Sequence, residues 1–282
     1  MFKSNENLAT IGGSDRLSIE CLKVSIESPV HMSVKLISTD FDGTLVGAHE
    51  GLEHFFELVK EQRKRHNVEW VINTGRNWES LVTEMHDRSF PILPDWLVLV
   101  EREVYKICRD HPVGDYDWNN CCEEVHTSLF NSVPDFWTSL TEFIVEQTSA
   151  ETISEEHSPI AIRASNDDEA DRIHHFIHGL LPSYPQLAMM RNSVYFRFAH
   201  EAYHKGSGLQ RVQEHLEVGP EATMVIGDHY NDIPMLDSTC AHFIACPSNA
   251  IPQVRSHVKE RGGFVATLPE AAGVVEAWRK FI

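Results

Sequence analysis

Side chains able to do phosphoryl-transfer chemistry occur in four short groups. The first, DFDGT, begins at Asp40, and the last, GDHYND, contains Asp228 and Asp232. Between them lie TGR at 74–76 and Lys205 in HKG. Phosphoryl transfer requires a nucleophile, an acid/base, a hard cation and donors for the phosphoryl oxygens. Together the four groups contain the carboxylates, the hydroxyl and the lysine that could meet these requirements.

The carboxylates have separable chemical uses. Asp40 follows a strand-like run directly, so its side chain can point into a crevice and attack phosphorus. Asp42, two residues on, can protonate the leaving alkoxide and then activate a water molecule. Gly43 lets the backbone turn tightly at this point. Asp228 and Asp232 add the carboxylate oxygens that Mg²⁺ prefers.

Positive charge and hydrogen-bond donors come from the two middle groups. Lys205 is placed to screen Asp40 from a phosphate dianion. The Thr74 hydroxyl and the Gly75 amide can bind a phosphoryl oxygen, helped by the helix N-terminus that follows. Each group alone is a weak signal, since DxD and GDxxND segments are often turns. Their joint occurrence, each after a strand-like run or near one, favours a catalytic site.

Alternating strands and helices must position these groups. Because open α/β sheets bind ligands at the carboxyl ends of their strands, we expect the four groups to converge at one edge. The predicted fold class is α/β, a doubly wound Rossmann-like parallel sheet with an inserted α+β cap domain. Strands are predicted at 34–39, 68–73, 96–100, 222–228, 242–246 and 263–267, and helices at 50–66, 77–87, from Lys205 onward and at 269–281.

A different pattern interrupts this alternation in the middle of the chain. Two helices are expected at about 119–131 and 135–148, a strand at 160–164, a helix at 167–181, and strands at 187–191 and 194–198. Before the first core strand, apolar alternation predicts a further strand or edge addition. The predicted domains are an N-terminal extension at 1–30, a catalytic core at 31–108 and 201–282, and a cap at 109–200.

Composition restricts the partners. The chain has 282 residues and a formal net charge of −18, and such an acidic surface repels nucleic acids and anionic membranes. No apolar run reaches the roughly 18 residues of a membrane span, and the first 20 residues lack a signal peptide's apolar stretch. Six cysteines show no zinc-ligand spacing, and we expect them to be reduced in a cytoplasmic protein.

The four groups resemble the motifs of the haloacid dehalogenase (HAD) superfamily. DFDGT, NTGR, HKG and GDHYND match these motifs in order, and the resemblance covers about 34–270. The inserted segment resembles the C2-type cap, of the C2B form, in Cof-like and sucrose-phosphate-phosphatase-like members. SNAIPQV at 248–254 is similar to a late core segment of these proteins.

This resemblance implies a role for each motif residue. The position of Asp40 is the family's nucleophile and that of Asp42 its acid/base. The implied magnesium ligands are Asp40, the main-chain carbonyl of Asp42, and Asp228, with Asp232 orienting the site. The implied phosphate-site positions are Thr74, Lys205 and Asn231. Gly43, Gly75 and Arg76 are further candidates for binding phosphate or substrate.

Substrate identity stays open at this point. Glu101 and its neighbours stand where Cof-like members commonly have Asn-Gly after the third strand. Specificity is expected from the cap, where Arg163, Arg191, Tyr195 and Arg197 lie on predicted strands. An equally good interpretation is that these side chains solvate the outer face of the cap sheet or pair with acidic residues of the cap. Trp118 and Trp137 are assigned to the cap core.

Three functions are compatible with these residues. The favoured one is a Mg²⁺-dependent phosphomonoesterase that hydrolyses a small phosphorylated metabolite, a sugar phosphate by preference, through an aspartyl-phosphate. A phosphomutase on the same scaffold is the alternative. A non-catalytic sugar-phosphate sensor ranks last, because none of the four motifs is broken. We expect a small-molecule phosphate ester as partner, no nucleic acid or membrane, and a monomer or weak homodimer.

Overall fold

The computed structural model describes residues 33–48, 50–155 and 158–282. The strand or edge addition predicted before the first core strand, together with the 1–30 extension, lies outside these ranges. Within them, no helix has the length and apolar character needed to cross a membrane.

A sheet of eight strands forms the larger layer. Its spatial order is β12-β11-β10-β1-β2-β3-β4-β5, parallel from β12 to β3 and antiparallel at β4 and β5. The strands are β1 (Leu36–Thr39), β2 (Glu69–Asn73), β3 (Trp96–Leu99), β4 (Glu103–Cys108), β5 (His111–Gly114), β10 (Thr223–Ile226), β11 (Phe243–Cys246) and β12 (Phe264–Val265).

Helices cover both faces of this sheet, which makes it doubly wound. The apolar residues of the two faces form separate buried clusters. On the first face Phe55 and Trp70 pack edge-on with ring centroids 5.0 Å apart, close to Trp278. That face carries α1 (Leu52–His66), α2 (Trp78–Asp87) and α8 (Glu270–Phe281), and the second carries α6 (Lys205–Leu216) and α7 (Pro252–Glu260).

A smaller antiparallel sheet with its own apolar core lies between β5 and α6 in the sequence. Its spatial order is β6-β7-β9-β8. Phe136, Ile173 and Phe198 are fully buried where helices pack against it. The elements are α3 (Tyr116–Ser132), α4 (Pro134–Gln147), β6 (Glu151–Glu155), β7 (Ser158–Arg163), α5 (Asp167–Leu180), β8 (Leu187–Asn192) and β9 (Tyr195–His200).

The predicted fold class is confirmed, with local differences. Strands β4, β5 and β6 and helix α7 were not predicted. Since β5 pairs with β4 in the large sheet, that sheet continues past the expected core boundary at residue 108. The assignment of Trp118 to the cap core is wrong. Its ring packs on the second face of the large sheet, and its Nε1 donates to the Arg102 carbonyl. Trp137 does pack against the apolar core of the smaller sheet.

Candidate active site

Parallel pairing brings the predicted groups to one edge. Thr39 at the end of β1 lies in register with Ile72 in β2 and Ile226 in β10. The residues that follow these strand ends therefore emerge side by side. They include Asp40 and Asp228, and the loop after β2 contributes the TGR segment that the sequence predicts to bind the phosphoryl group. The convergence expected from the sequence is what the structure shows.

Lys205 is the first residue of helix α6. The His204 Nδ1 atom caps this helix by accepting from the Gly206 and Ser207 amides at 3.1 and 3.2 Å. The Asn73 side chain donates to the Lys205 carbonyl at 2.8 Å and so ties the helix start to β2. A Cβ on Gly206 would lie 2.5 Å from the Pro234 carbonyl, which explains why glycine follows the lysine.

Lys205 is fully buried and bonded to two carboxylates. Its Nζ lies 2.5 Å from Asp40 Oδ1 and 2.6 Å from Asp232 Oδ1. Burial opposes the charged amine, but the attraction of Asp232 and Asp40 outweighs it and raises the pKa of Lys205. The lysine is therefore a fixed positive charge between the first and fourth motifs, as predicted.

Three buried carboxylates surround this single ammonium. Oxygens of Asp40, Asp228 and Asp232 lie within 4.8 Å of one another. Burial and repulsion from Asp232 raise the pKa of Asp228 to about 7. Burial, with further repulsion from Asp232 and Asp228, also raises the pKa of Asp40 despite Lys205. Such concentrated negative charge on hard oxygen donors fits a divalent cation such as Mg²⁺.

The carboxylates of the fourth motif differ in the number of protein partners. Asp232 uses one oxygen on Lys205, and its other oxygen accepts from the Asp228 and His229 amides at 2.8 and 2.9 Å. This geometry suits the orienting role implied for Asp232 better than a ligand role. Asp228 accepts from the Thr44 hydroxyl at 2.8 Å, a link that the sequence analysis missed although Thr44 belongs to DFDGT.

Asp42 and Arg76 form a two-pronged ion pair. Arg76 Nε donates to one Asp42 oxygen at 2.8 Å, and Nη2 donates to the other at 2.7 Å. Hydrogen bonding to Asp42 raises the pKa of Arg76 further. The guanidinium predicted for phosphate binding thus forms a bidentate, charge-assisted pair with the predicted acid/base.

A strained turn after β3 is joined to the loop that carries the TGR segment. Val100 and Glu101 have φ of 44° and 67°, in the left-handed region that β-branched and bulky residues rarely adopt. Their amides donate to the carbonyls of Arg76 and Thr74 at 3.1 and 3.0 Å. The Glu101 carboxylate is buried and accepts from Asn231 Nδ2 at 2.9 Å. Glu101 is therefore in the site itself.

A second unpredicted contact supports the first motif from behind. The Asn249 side chain donates to the Gly43 carbonyl at 2.7 Å and accepts from the Glu270 amide at 2.9 Å. The Glu270 carboxylate in turn accepts from the Ala48 amide at 3.0 Å. Asn249 lies in the SNAIPQV segment, for which the sequence analysis gave a resemblance but no role.

The small sheet reaches over the strand ends. Arg197 of β9 donates to the Gly75 carbonyl, and the Ser193 amide lies 3.1 Å from the His229 ring. The Arg191 guanidinium lies 5.5 Å from the Tyr230 ring centroid. A crevice of about 660 Å³ remains between the small sheet and the strand ends. Of the predicted cap candidates, Tyr195 and Arg197 line it, and Arg163 pairs with Glu151 at the surface instead.

The chain matches two known protein families. Residues 131–277, slightly more than half of the chain, match the haloacid dehalogenase-like hydrolases. The chain belongs to this family. Residues 33–154 also match sucrose-6F-phosphate phosphohydrolase. The predicted HAD membership is confirmed. The predicted enzyme class, a HAD-type phosphatase and thus a phosphoric monoester hydrolase, is confirmed as well. The search of curated proteins found no match for this HAD chain.

Solved structures share the fold at low sequence identity. The sucrose-phosphatase from Synechocystis sp. PCC6803 superposes with a TM-score of 0.68 at 20% identity, covering 89% of this chain and 98% of that one. The HAD phosphatase BT1666 from Bacteroides thetaiotaomicron gives 0.59 at 18%, with 92% and 98% covered. The HAD subclass IIB sugar phosphatase BT4131 gives 0.59 at 18%, with 88% and 99% covered.

Proposed function

We propose that this HAD phosphatase hydrolyses the phosphate monoester of a sugar through a covalent phosphate on Asp40, with Mg²⁺ as cofactor. The observation that carries the proposal is the arrangement around Asp40. This buried carboxylate directly follows β1, is bonded to Lys205 at 2.5 Å, and has the Asp228 and Asp232 carboxylates beside it. A small-molecule phosphate ester as partner, a cytoplasmic location and a monomer or weak homodimer remain predictions.

In the first step a carboxylate oxygen of Asp40 forms a bond to phosphorus while the ester P–O bond breaks. Lys205 holds Asp40 at a fixed position through the transfer and offsets part of its charge. Donors for the three phosphoryl oxygens come from the Thr74 hydroxyl, the Gly75 amide and the Asn231 amide group. Asp42 in its protonated form gives its proton to the departing alkoxide, which leaves as the free sugar.

In the second step Asp42 acts as a base. Its carboxylate, which Arg76 orients through two hydrogen bonds, accepts a proton from a water molecule. The resulting hydroxide oxygen bonds to phosphorus, the bond between phosphorus and the Asp40 oxygen breaks, and inorganic phosphate is released. Asp40 is regenerated as a carboxylate and Asp42 is protonated for the next cycle.

Mg²⁺ would be held by Asp40, Asp228 and the main-chain carbonyl of Asp42. When bound, it supplies Lewis-acid polarisation of a phosphoryl oxygen and offsets the repulsion between that group and the carboxylates. The turn that carries Asp42 packs tightly on this position, because a Cβ on Gly43 would lie 2.5 Å from Asp228 Oδ2. Asp232 holds Lys205 and the loop amides and thereby orients the site.

Two observations support a sugar as the leaving group. The relatives with a similar fold include a sucrose-phosphatase in complex with sucrose and phosphate, and a sugar phosphatase. The crevice above the strand ends is lined by hydroxyl and amide side chains as well as by charged ones. Hydroxyls and amides are the groups that bind sugar hydroxyls.

The nucleophile assignment is tested by Asp40→Asn. This substitution keeps size and hydrogen bonding but closes the covalent route, so kcat should fall by at least about three orders of magnitude. The measurement is release of inorganic phosphate from p-nitrophenyl phosphate and from a panel of sugar phosphates. A folded Asp40→Asn protein that turns over substrate at the wild-type rate would refute the mechanism. Appearance of an isomeric sugar phosphate instead of free phosphate would identify a mutase.

A further inference from the structure

Glu101 occupies a central place between two cavities. Its side chain is 3% exposed and borders both the 660 Å³ crevice and a smaller cavity of about 150 Å³. A Cβ added to Gly75 would lie 3.0 Å from Glu101 Oε1 and 3.2 Å from Arg197 Nη1. The carboxylate therefore lies next to the phosphoryl-binding loop, at the end of the crevice where the phosphate is expected.

One oxygen of this carboxylate is satisfied and the other is not. Oε1 accepts from Asn231 Nδ2 at 2.9 Å. Oε2 is buried and has no hydrogen-bond partner among the residues that the structure describes. A buried acceptor without a donor costs free energy, which a donor on a bound ligand would recover. A hydroxyl group can supply that donor, whereas a carboxylate or phosphate dianion cannot.

The positive charges near the crevice already face acceptors of the protein. Arg76 is paired with Asp42, and Lys205 lies between Asp40 and Asp232. Arg197 donates to the Gly75 carbonyl. These guanidinium and ammonium groups are therefore already paired with groups of the protein. A second anion on the substrate would face the negative charge of the Glu101 carboxylate. Repulsion between like charges a few ångströms apart is large where water is excluded.

The remaining polar lining is uncharged. It consists of hydroxyl and amide side chains at Asn77, Ser80, Ser154, Asn192, Ser193 and Tyr195. We infer that Glu101 is a specificity-determining residue that selects monoesters whose leaving group is a neutral polyol and rejects those carrying a second anion. This inference rests on the proposed function and narrows its substrate class.

The test compares two three-carbon substrates that differ in one charged group beside the ester. Glycerol 2-phosphate carries a neutral polyol, and 2-phosphoglycerate has a carboxylate in place of one hydroxymethyl group. We expect wild-type kcat/KM to favour glycerol 2-phosphate by about tenfold or more. Glu101→Gln should shrink this ratio by about tenfold, mainly by improving relative use of 2-phosphoglycerate. The matched control is Glu201→Gln, an exposed carboxylate at the smaller cavity, which should leave the ratio unchanged.

p-Nitrophenyl phosphate separates this inference from the proposed function. Wild-type enzyme that hydrolyses it but uses the two three-carbon substrates equally, or uses neither, overturns the inference and leaves the phosphatase activity standing. So does a folded Glu101→Gln protein with the wild-type ratio, folding being checked by circular dichroism and the melting temperature. Wild-type enzyme that, with Mg²⁺ present, releases phosphate from none of the three compounds overturns both.

Discussion

At the scale of single residues, the site is defined by excess negative charge. Asp40, Asp228 and Asp232 are buried together and share the one ammonium of Lys205. A buried charge without a partner is expensive, so these carboxylates need either protons or a cation. The raised pKa of Asp228, about 7, follows from burial and the neighbouring Asp232 when no metal balances them. A divalent cation would relieve the same repulsion.

Chelation should therefore abolish activity. We expect EDTA to remove phosphate release and Mg²⁺ to restore it, with Ca²⁺ a poor substitute because it takes more ligands at longer distances. Added Mg²⁺ should also raise the melting temperature, since it binds the folded state selectively. The readouts are phosphate release and thermal unfolding, with and without each ion.

Asp228→Ala is the control for this metal prediction. It removes a proposed ligand, so it should lose both the rescue by Mg²⁺ and most of the thermal shift. Unchanged activity after exhaustive dialysis against EDTA would exclude a required metal. A full thermal shift in Asp228→Ala would place the metal somewhere else.

The residues of the site divide by how local their signal is. Asp40 and Lys205 were predictable because each belongs to a short motif. Asp40 follows a strand-like run in DFDGT, and Lys205 precedes a glycine in HKG. Glu101 was recognised only as a departure, since nothing in its neighbourhood indicates that the chain turns through two left-handed residues to bury it. The Asn249 contact with Gly43 joins residues far apart in sequence, and one side chain leaves no local pattern for it.

At the scale of elements, the loop between β11 and α7 supports the first motif through Asn249. We expect Asn249→Ala to lower kcat about fivefold with little change in KM, because the turn carrying Asp42 loses a hydrogen bond. Asn249→Asp keeps the acceptor for the Glu270 amide but loses the donor to the Gly43 carbonyl. Steady-state kinetics of both variants should show similar losses. If Asn249→Asp is fully active, donation to Gly43 does not position the turn.

Helix α3 begins at a carboxylate that joins it to α6. Asp115 accepts from the Trp118 amide as the helix N-cap and from Arg211 and His215 at 2.6 and 2.7 Å. Burial alone would raise its pKa, but hydrogen bonds from Arg211 and His215 outweigh this and lower the pKa of Asp115 to about 2. Because the folded pKa lies below the ordinary value of 3.8, the charged form stabilises the fold above pH 4.

Asp115→Asn keeps the cap acceptor and removes the charge. We expect it to lower the free energy of unfolding by about 1 kcal/mol at pH 7, allowing for solvent screening of its partly exposed partners. The deficit relative to wild type should shrink as the pH falls from 4 toward 2. Urea unfolding across this range measures it.

Asp135→Asn provides the comparison for this pH dependence. Asp135 lies in the first turn of α4 but is exposed. Its substitution should cost no more than a few tenths of a kcal/mol, the size of a helix-dipole interaction. A deficit for Asp115→Asn that is the same at pH 7 and pH 3 would mean that the ion pairs contribute nothing.

Elements with strong periodicity were predicted well, and paired edge elements were not. Helices α1 and α5 and strands β1, β2 and β10 lie within a few residues of their expected ranges. The hairpin β4–β5 was missed because its turn uses Arg109 and Asp110, both at positive φ, in place of the Asn-Gly or Asp-Gly that marks such turns. Strand β5 also contains Pro112, which argues against a strand in any local assessment.

At the scale of the whole molecule, the small sheet contacts the catalytic loops directly through Arg197. We expect Arg197→Ala to raise KM for a sugar phosphate about fivefold, because the crevice loses a side chain that fixes it on the phosphoryl-binding loop. Turnover of p-nitrophenyl phosphate, which does not depend on contacts with the small sheet, should change much less. Michaelis–Menten kinetics with both substrates measure the difference.

Arg163→Ala is the matched control for the cap. Arg163 is on the neighbouring strand β7, but its guanidinium pairs with Glu151 at the surface. The ranking of substrates should not change in this variant. If Arg197→Ala and Arg163→Ala behave alike across a substrate panel, the cap arginines do not select the substrate, and the turn at Glu101 becomes the main determinant.

The order of the strands has a consequence for how the chain acquires its structure. Strand β1 lies between β2, which follows it closely, and β10, which comes after the whole cap in sequence. During synthesis, β1 therefore waits with one edge unpaired until the ribosome has made the cap and α6. Long-range pairing of this kind slows folding and exposes an apolar edge to other chains. Asp40 emerges early, yet its partners Lys205 and Asp228 are made only after the cap, so the nascent protein has no assembled site until β10 pairs with β1.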